Sequence, residues 1–318
     1  MRLSRFVWLV LVYDVLVVLW GAYVRVSFSG DGCGSHWPLC NGEMLPHLAQ
    51  TKTIVELSHR ISSGGSLVLA VVLFVWARRL FERGSPVRRG ATLALVFTAS
   101  EALIGAALVL LRLVAHDVSL RRAVSTSMHL SNTFLLLASL TVTARLVAGA
   151  PVPSLRDRGW LGVLAVGALA SVIFVGASGS LAALGDTLYP SHSVAQGLAA
   201  DVAPSAPLLI RLRSLHPFVA IGSGVLILAL ATMGSMVGTA PSVQPLTLTR
   251  ALSIAYFVQL GLGALNVVLL APTWLQLLHL LSADVVWVLL VLVAMAVLGQ
   301  TPVSVSQEAR PGGFRPAR

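Results

Sequence analysis

Long apolar segments alternate with short polar ones along almost the whole chain. Each apolar segment is continuous and does not alternate with polar residues at every second position, so it predicts a helix and not a strand of a membrane barrel. A helix needs about 20 apolar residues to cross the hydrocarbon core of a bilayer. Eight segments reach this length, which predicts an all-α polytopic membrane protein with eight transmembrane helices. The segments are Phe6–Val26, Leu57–Leu80, Ala91–Val114, Val124–Leu146, Trp160–Ala182, Leu212–Met236, Arg250–Leu270 and Trp274–Leu298.

The basic residues between these segments predict how the chain is oriented, because Lys and Arg collect in the cytoplasmic loops of membrane proteins. If the N-terminus is cytoplasmic, 14 of the 22 basic residues fall on the same side, including a cluster of five arginines between residues 78 and 89. Both termini are therefore predicted to be cytoplasmic. The segment 299–318 is rich in Pro, Gly, Ser and Arg, which predicts a disordered cytoplasmic tail.

Similar residues recur in the same order in the two halves of the chain. The matched markers are Gly21 with Gly176, His59 with His216, Glu101 and Gly105 with Gln259 and Gly263, and His129 with His279, at offsets from 150 to 158 positions. Each half holds four predicted helices, an even number, so both halves keep the same orientation. The sequence therefore predicts two tandem four-helix bundles, residues 1–150 and 151–298, related by a parallel internal repeat.

Composition agrees with a membrane protein and excludes one class of function. The chain of 318 residues is 56% hydrophobic and 11% charged, and its mean hydropathy is +0.87. A soluble domain of this length cannot bury so many apolar side chains. The net charge of +10 would favour nucleic-acid binding in a soluble protein, but here the basic residues follow alternate loops and form no base-reading motif. We therefore predict contact with a lipid bilayer and no nucleic-acid partner.

Four histidines occupy matching places near the starts of apolar segments: His59 and His129 in the first half, His216 and His279 in the second. A neutral imidazole is a good axial ligand for haem iron, and two imidazoles on facing helices can hold one haem between them. Zinc would need three or four ligands that converge on one point, so the pairing favours two haem sites. For any one of these histidines alone, a hydrogen bond between helices is the alternative.

A carboxylate distinguishes the first pair of histidines from the second. Glu56 precedes His59 by three positions, so the two side chains share a helix face and can address one bound group. The second half has Arg213 where Glu56 would be. Glu56 is therefore a candidate catalytic residue, the first site is predicted to perform chemistry, and the second is predicted to hold a cofactor. The alternative is an interfacial carboxylate beside a helix-end histidine and Arg60.

The chain has two cysteines, Cys33 and Cys40, in a loop from Gly30 to Thr53 that is predicted to lie on the outer side. An oxidising compartment allows a disulfide between them. That bond would either staple the loop or exchange with a partner thiol, and the spacing of the cysteines does not distinguish the two roles.

Other charged residues near or within the spans have two interpretations each. Arg25 and Arg60 lie near the outer surface, where they can pair with haem propionates or with lipid phosphates. Asp14, Glu101 and Asp284 lie within predicted spans, where carboxyl groups are costly and either carry protons or form hydrogen bonds between helices.

Together these residues resemble the heme A synthase family over roughly residues 5–298. The resemblance rests on Glu56-x-x-His59-Arg60, on the three other paired histidines, on the outer loop with its two cysteines, and on the four-plus-four repeat. It implies an enzyme, an oxidoreductase of the cell membrane, that oxidises the methyl group at ring position 8 of haem O to a formyl group. The product, haem A, would serve terminal oxidases.

The resemblance also implies a role for each site residue. His59 and His129 would hold the substrate haem, His216 and His279 would hold the iron of a haem b, Glu56 would be catalytic, and Cys33–Cys40 would be a disulfide near the substrate. A haem O synthase would deliver the substrate, and a terminal oxidase assembly pathway would receive the product. Some relatives have a second cysteine pair between the fifth and sixth spans. The loop from Asp186 to Pro207 has none, so exchange between two disulfides is not predicted.

Two other classes of function fit part of the pattern. A di-haem b electron carrier linked to quinone uses the same four histidines but does not need Glu56. A membrane thiol oxidoreductase uses Cys33 and Cys40 but does not need the histidines. A transporter fits less well, because the histidines cluster near one face and transporter sites lie near the midplane. No motif identifies the electron acceptor or the oxygen source, and a homo-oligomer is compatible with the apolar surface.

Overall fold

The regular structure of the chain is helical in the computed structural model, which describes residues 2–44, 50–156, 158–237 and 244–299. Within these ranges the β-structure consists of one isolated bridge between Cys40 and Glu43. The helices, in chain order, are α1 Arg2–Val26, α2 Thr51–Leu80, α3 Pro86–Leu110, α4 Leu120–Val147, α5 Gly159–Leu188, α6 Val194–Val202, α7 Leu208–Arg213, α8 Leu215–Val237, α9 Gln244–Val268 and α10 Thr273–Leu298.

Within the described residues, eight long apolar segments run from one end of the bundle to the other. Seven of them are single helices, and the remaining one, the sixth in chain order, combines α7 with α8. Each is long and apolar enough to span a membrane. The predicted fold class, an all-α multi-pass membrane protein with eight spans, is therefore confirmed. Of the predicted tail, Gly299 follows the end of α10, and residues 300–318 lie outside the described residues.

Helix α2 begins at Thr51, six positions before the predicted start at Leu57. The polar first turn suggested a loop, but Thr53 is buried and its hydroxyl donates a hydrogen bond to the Gly32 carbonyl at 2.7 Å. The loop before α2 therefore packs on the first turn and completes the helix. As a consequence, His59 lies in the body of α2 and not at its end.

The short helices α6 and α7 fold the predicted outer loop between α5 and α8 back onto the bundle. Leu209 of α7 is buried and packs against Ala123 of α4 and Leu184 of α5. Burial of apolar side chains on a short helix fixes it in place, because such a helix is marginal by itself. The loop thus covers the end of the second half.

Each half of the chain forms a set of neighbouring helices. In the first half, α1 and α3 both contact α2 and α4; in the second, α8 contacts α5 and α9, and α10 contacts α5, α8 and α9. The halves join where α4 meets α5 and α10, and where α1 meets α10. For this reason α4 and α10 are the most buried of the membrane-spanning helices.

A stacked aromatic pair occupies the interface between the two halves. The rings of Phe134 in α4 and Trp287 in α10 have centroids 5.2 Å apart, and the indole N–H donates to the Phe134 carbonyl at 2.6 Å. Gly176 of α5 makes room for this pair, because a Cβ atom there would lie 2.5 Å from the Phe134 ring. Both aromatic side chains are almost completely buried, so this contact is close-packed.

One end of the bundle carries all four paired histidines. Helices α2, α4, α8 and α10 begin near this end, and α1, α3, α5 and α9 finish there. We call it the histidine end. The arginine cluster between residues 78 and 89 lies at the opposite end, where α2 finishes and α3 begins. The separation agrees with the predicted orientation, and the histidine end as the outer end remains a prediction.

Candidate functional site

The four histidines lie on four different helices, at half-buried positions near the histidine end: His59 on α2, His129 on α4, His216 on α8 and His279 on α10. His59 is close enough to His129 for the two rings to interact electrostatically, and the same holds for His216 and His279. The structure therefore brings together the two pairs that the sequence predicted, one within each half of the chain.

Each histidine ring packs against a glycine of the preceding long helix. A Cβ atom on Gly21 would lie 2.9 Å from His59, one on Gly179 2.9 Å from His216, and one on Gly263 3.2 Å from His279. Gly105 is the glycine nearest to His129, at 3.9 Å from such an atom. These glycines let a helix backbone approach an imidazole closely. The sequence repeat paired Gly21 with Gly176, but in the structure Gly179 is the glycine that faces His216, and Gly176 faces Phe134.

The ring nitrogens of the histidines differ in their partners. The Nδ1 atoms of His59 and His279 are buried and have no hydrogen-bond partner within the described part of the chain. His216 Nδ1 lies 3.0 Å from the Ser178 hydroxyl. His129 Nδ1 contacts the Glu101 carboxylate, and His279 Nε2 lies 3.3 Å from the side-chain amide of Gln259. The sequence predicted proton transfer or an interhelical hydrogen bond for Glu101 and used Gln259 as a marker of the repeat, but it predicted neither contact with a histidine.

Glu56 joins α2 to the loop between α1 and α2, which we call the outer loop after its predicted side of the membrane. One of its carboxylate oxygens accepts a hydrogen bond from the backbone N–H of Cys33 at 2.8 Å. The other accepts two from the Arg60 guanidinium, at 3.1 and 2.5 Å. Arg60 also donates to the carbonyls of His36 and Leu39, at 2.6 and 2.9 Å. Glu56 is 3% exposed, so it is a buried carboxylate held by charge-assisted hydrogen bonds one helical turn from His59.

The outer loop is closed by a disulfide between Cys33 and Cys40. Both cysteines are buried. The disulfide and the Glu56–Arg60 pair hold the same loop, so the loop, the carboxylate and the first turns of α2 form one unit. This geometry fits a stapled loop.

Arg25, at the end of α1, reaches into the second half of the chain. Its guanidinium donates to the Ala183 carbonyl at 2.7 Å, to the Thr187 hydroxyl at 2.6 Å and to the Gln276 side chain at 3.1 Å. These acceptors lie on α5 and α10. The side chain therefore links the two halves at the histidine end.

Arg213 stands in the second half where Glu56 stands in the first. It donates hydrogen bonds to Asp186 of α5 at 2.7 Å and to Asp201 of α6 at 2.6 and 3.0 Å. This cation between two carboxylates fixes α6 and α7 over the end of α5. The second site therefore has no carboxylate at the position of Glu56.

Of the three carboxyl groups predicted within spans, Glu101 forms interhelical contacts. It accepts a hydrogen bond from the Thr133 hydroxyl of α4 at 2.8 Å, in addition to its contact with His129. Asp14 and Asp284 are buried, and their oxygens form no well-directed hydrogen bond within the described residues, although Ser66 lies close to Asp14.

The histidine pairs fit haem better than a metal ion bound by side chains alone. A buried ring nitrogen without a hydrogen bond is costly unless a ligand satisfies it, and a pair of imidazoles on facing helices is a haem-binding arrangement. The glycines beside the rings give the imidazoles room that a larger side chain would take. Within the described ranges, no three His, Cys, Asp or Glu side chains come together as a metal-ion site.

The fold and the site define a class of protein, the multi-pass helical membrane proteins with a histidine pair in each half. Within this class, residues 4–291 match the model of the COX15-CtaA family, described as cytochrome oxidase assembly protein. The chain therefore belongs to this family, as its resemblance to heme A synthases implied.

Curated relatives carry two different names. Over 297 residues the chain is 42% identical to a protein named Protoheme IX farnesyltransferase in each of two strains of Thermus thermophilus; the match covers 93% of this chain and 48% of each relative. The Heme A synthase of Bacillus mycoides is 41% identical over 111 residues, which is 34% of this chain and 36% of that protein. The chain thus spans about half the length of the Thermus relatives.

Proposed function

We propose that the protein is a heme A synthase, an oxidoreductase that converts the ring-position-8 methyl group of haem O into the formyl group of haem A. Membership of the cytochrome oxidase assembly family and similarity to Bacillus heme A synthases support the proposal. The observation that carries it is the position of Glu56, a buried carboxylate one turn from His59 with no counterpart in the second half.

In the first half, His59 and His129 would hold the substrate haem by its iron, which supplies the redox chemistry when bound. Oxidation of a methyl group removes hydrogen from carbon, so a base or a negative charge beside that carbon lowers the barrier. Glu56 has this role in the proposal. Arg60 and the Cys33 N–H fix the direction of its carboxylate, and such preorganisation is what makes a charged group effective.

In the second half, His216 and His279 would hold a haem b that accepts electrons from the first site. Arg213 replaces the carboxylate there and is engaged with Asp186 and Asp201, so this half has no equivalent base. The glycine contacts of the four histidines support a parallel repeat of residues 1–150 and 151–298. In the cell membrane, both termini would be cytoplasmic and both haem sites would lie toward the outer face.

The Thermus relatives are named farnesyltransferases, and we propose that prenyl transfer takes place outside the part of those proteins that matches this chain. Transfer from a prenyl diphosphate needs Mg²⁺, which is bound by carboxylates together with phosphate oxygens. No two acidic residues of this chain are closer in sequence than Asp31 and Glu43, and the described residues contain no acidic cluster. We therefore assign prenyl transfer to the part of the relatives without a counterpart here. A haem O synthase would supply the substrate of this enzyme, and terminal oxidase assembly would use its product.

The deciding experiment is chromatography of haems extracted from cells that make haem O, with and without this protein. Haem A, or its hydroxylated intermediate, is expected only with the protein. Bound haem b with haem O unchanged would contradict the proposal and favour a di-haem electron carrier. Loss of activity in Cys33→Ser with no effect of replacing the histidines would favour a thiol oxidoreductase.

A further inference from the structure

The histidines of the two most buried helices, His129 on α4 and His279 on α10, have chemically different partners. His129 of α4 contacts a carboxylate, Glu101 of α3, through Nδ1. The other oxygen of Glu101 accepts a hydrogen bond from Thr133 at 2.8 Å. Thr133 lies one turn after His129 on α4, so the same helix that carries the histidine also orients the carboxylate beside it.

The matching place in the second half contains neutral groups. The Nε2 atom of His279 in α10 lies 3.3 Å from the side-chain nitrogen of Gln259 on α9. The Gln259 carbonyl oxygen is buried without a hydrogen-bond partner in the described chain. One turn after His279 stands Ala283, which has no hydroxyl to orient a carboxylate. In both halves the polar residue lies one turn before the glycine that faces the histidine. The two partners differ in charge and in the nitrogen that they meet, which is Nδ1 of His129 and Nε2 of His279.

A carboxylate beside an axial imidazole changes the iron that the imidazole binds. The imidazole that coordinates iron through one nitrogen donates its other N–H to the carboxylate, which increases its basicity and fixes its ring. A more basic ligand stabilises ferric over ferrous iron and so lowers the reduction potential. An amide partner is neutral and has a much weaker effect.

We propose that Glu101 is a positioning residue that sets the reduction potential of the first-site haem below that of the second-site haem. The inference deepens the proposed function and rests on its two haem sites. It gives electron transfer a direction, because electrons removed at the site that holds the substrate then pass downhill to the second-site haem, which is reduced as the first is oxidised. The Glu101–Gln259 difference would thus separate a substrate site from an acceptor site built on similar helices.

The test is a redox titration of the purified full chain, produced in cells that make haem O and followed by the absorbance of each haem. Glu101→Gln is isosteric and is expected to raise the first-site potential, to change the electron paramagnetic resonance of its ferric haem, and to leave the second-site potential unchanged. Thr133→Val keeps the carboxylate but removes its hydrogen bond, so a smaller shift in the same direction is expected. The His216→Ala chain, in which only the first site binds haem, assigns the two potentials.

A transplant into the second half is the matched control. Gln259→Glu combined with Ala283→Thr is expected to lower the second-site potential and leave the first unchanged. The inference would be overturned if the Glu101→Gln protein binds haem and both of its reduction potentials equal those of the unaltered chain. If the Glu101→Gln protein no longer binds haem, the Thr133→Val variant and the second-half transplant replace it as the test, and unaltered potentials in both would overturn the inference. A chain with two haems and shifted potentials but no haem A would refute the proposed synthase while preserving the role of Glu101. Absence of haem from the first site of the unaltered chain would refute both.

Discussion

At the scale of single residues, small and polar neighbours determine what each histidine can do. Glycine beside His59, His216 and His279 allows contacts that any Cβ would prevent or strain, and the side chains near the ring nitrogens differ from one histidine to the next. Similar imidazoles therefore become different sites through neighbours that lie far away in the sequence.

Removal of the Glu56 charge tests the proposed chemistry directly. Glu56→Gln retains an acceptor for the Cys33 N–H but cannot act as a base, so we expect haem to remain bound and haem A formation to fall at least about 100-fold, the low end for acid–base groups. Extracted haems measure both quantities. Glu43→Gln is the control, because Glu43 is an exposed acid of the same loop. Undiminished haem A production by Glu56→Gln would refute the catalytic role.

The glycine that faces His216 offers a second test at this scale. In Gly179→Val the Cβ would lie 2.9 Å from the His216 ring, so the ring must move. We expect the haem content of the second site to fall about tenfold, which corresponds to ~1.4 kcal/mol of binding. Gly167→Val on the same helix is the control, because nothing lies within 4 Å of its Cβ position. Equal haem content in the two variants would contradict the importance of this contact.

At the scale of elements, ionic contacts attach the loops of the histidine end to the helices. Glu56 and Arg60 hold the first outer loop on α2, and Arg213 holds α6 against α5. In both halves, charged groups that look like isolated surface residues in the sequence connect segments within one half of the bundle.

Loss of the Arg213 cation should loosen the second loop. Arg213→Met leaves Asp186 and Asp201 facing each other without the cation between them. We expect this to destabilise the fold by about 2 kcal/mol, less than for a fully buried pair because the groups are partly exposed. Thermal unfolding in detergent measures it. Arg211→Met is the control on the same short helix, where the side chain is exposed. Adding Asp186→Asn and Asp201→Asn should restore most of the loss, and failure to do so would argue against an ionic cause.

At the scale of the whole molecule, the two halves share an interface that is apolar in the centre and polar at the histidine end. Trp287 and Phe134 stack in the centre, and Arg25 bonds across the end. The interface places the two histidine pairs at the same end of one helical bundle.

Truncation of Trp287 tests how far this interface supports the fold. Trp287→Ala removes a side chain that is 1% exposed and leaves a cavity against Phe134, for which we expect a loss of about 3–5 kcal/mol. Trp274→Ala on the same helix is the control, because that side chain is 58% exposed. Comparable unfolding midpoints for the two variants would show that the interface contributes little to stability.

The sequence by itself determined the class of fold and the identity of the key side chains. Continuous apolar segments specify membrane-spanning helices because the bilayer requires their length and composition. The four histidines, Glu56 and the two cysteines were recognisable because their residue types are rare in apolar segments or paired in a loop. Helix ends were less predictable: the start of α2 depends on Thr53 bonding to Gly32, a contact between segments.

Only the tertiary structure decided which partners these side chains have. The contacts of Glu101 with His129, of Gln259 with His279 and of Glu56 with the Cys33 N–H join different helices or loops, and periodicity carries no information about such distances. The same holds for Gly179, whose partner depends on the crossing of α5 and α8. The residue composition and spacing within one helix are set by constraints along that helix, so they can be read from the sequence. The chemical environment of each histidine is set by the packing of helices against one another, so it cannot.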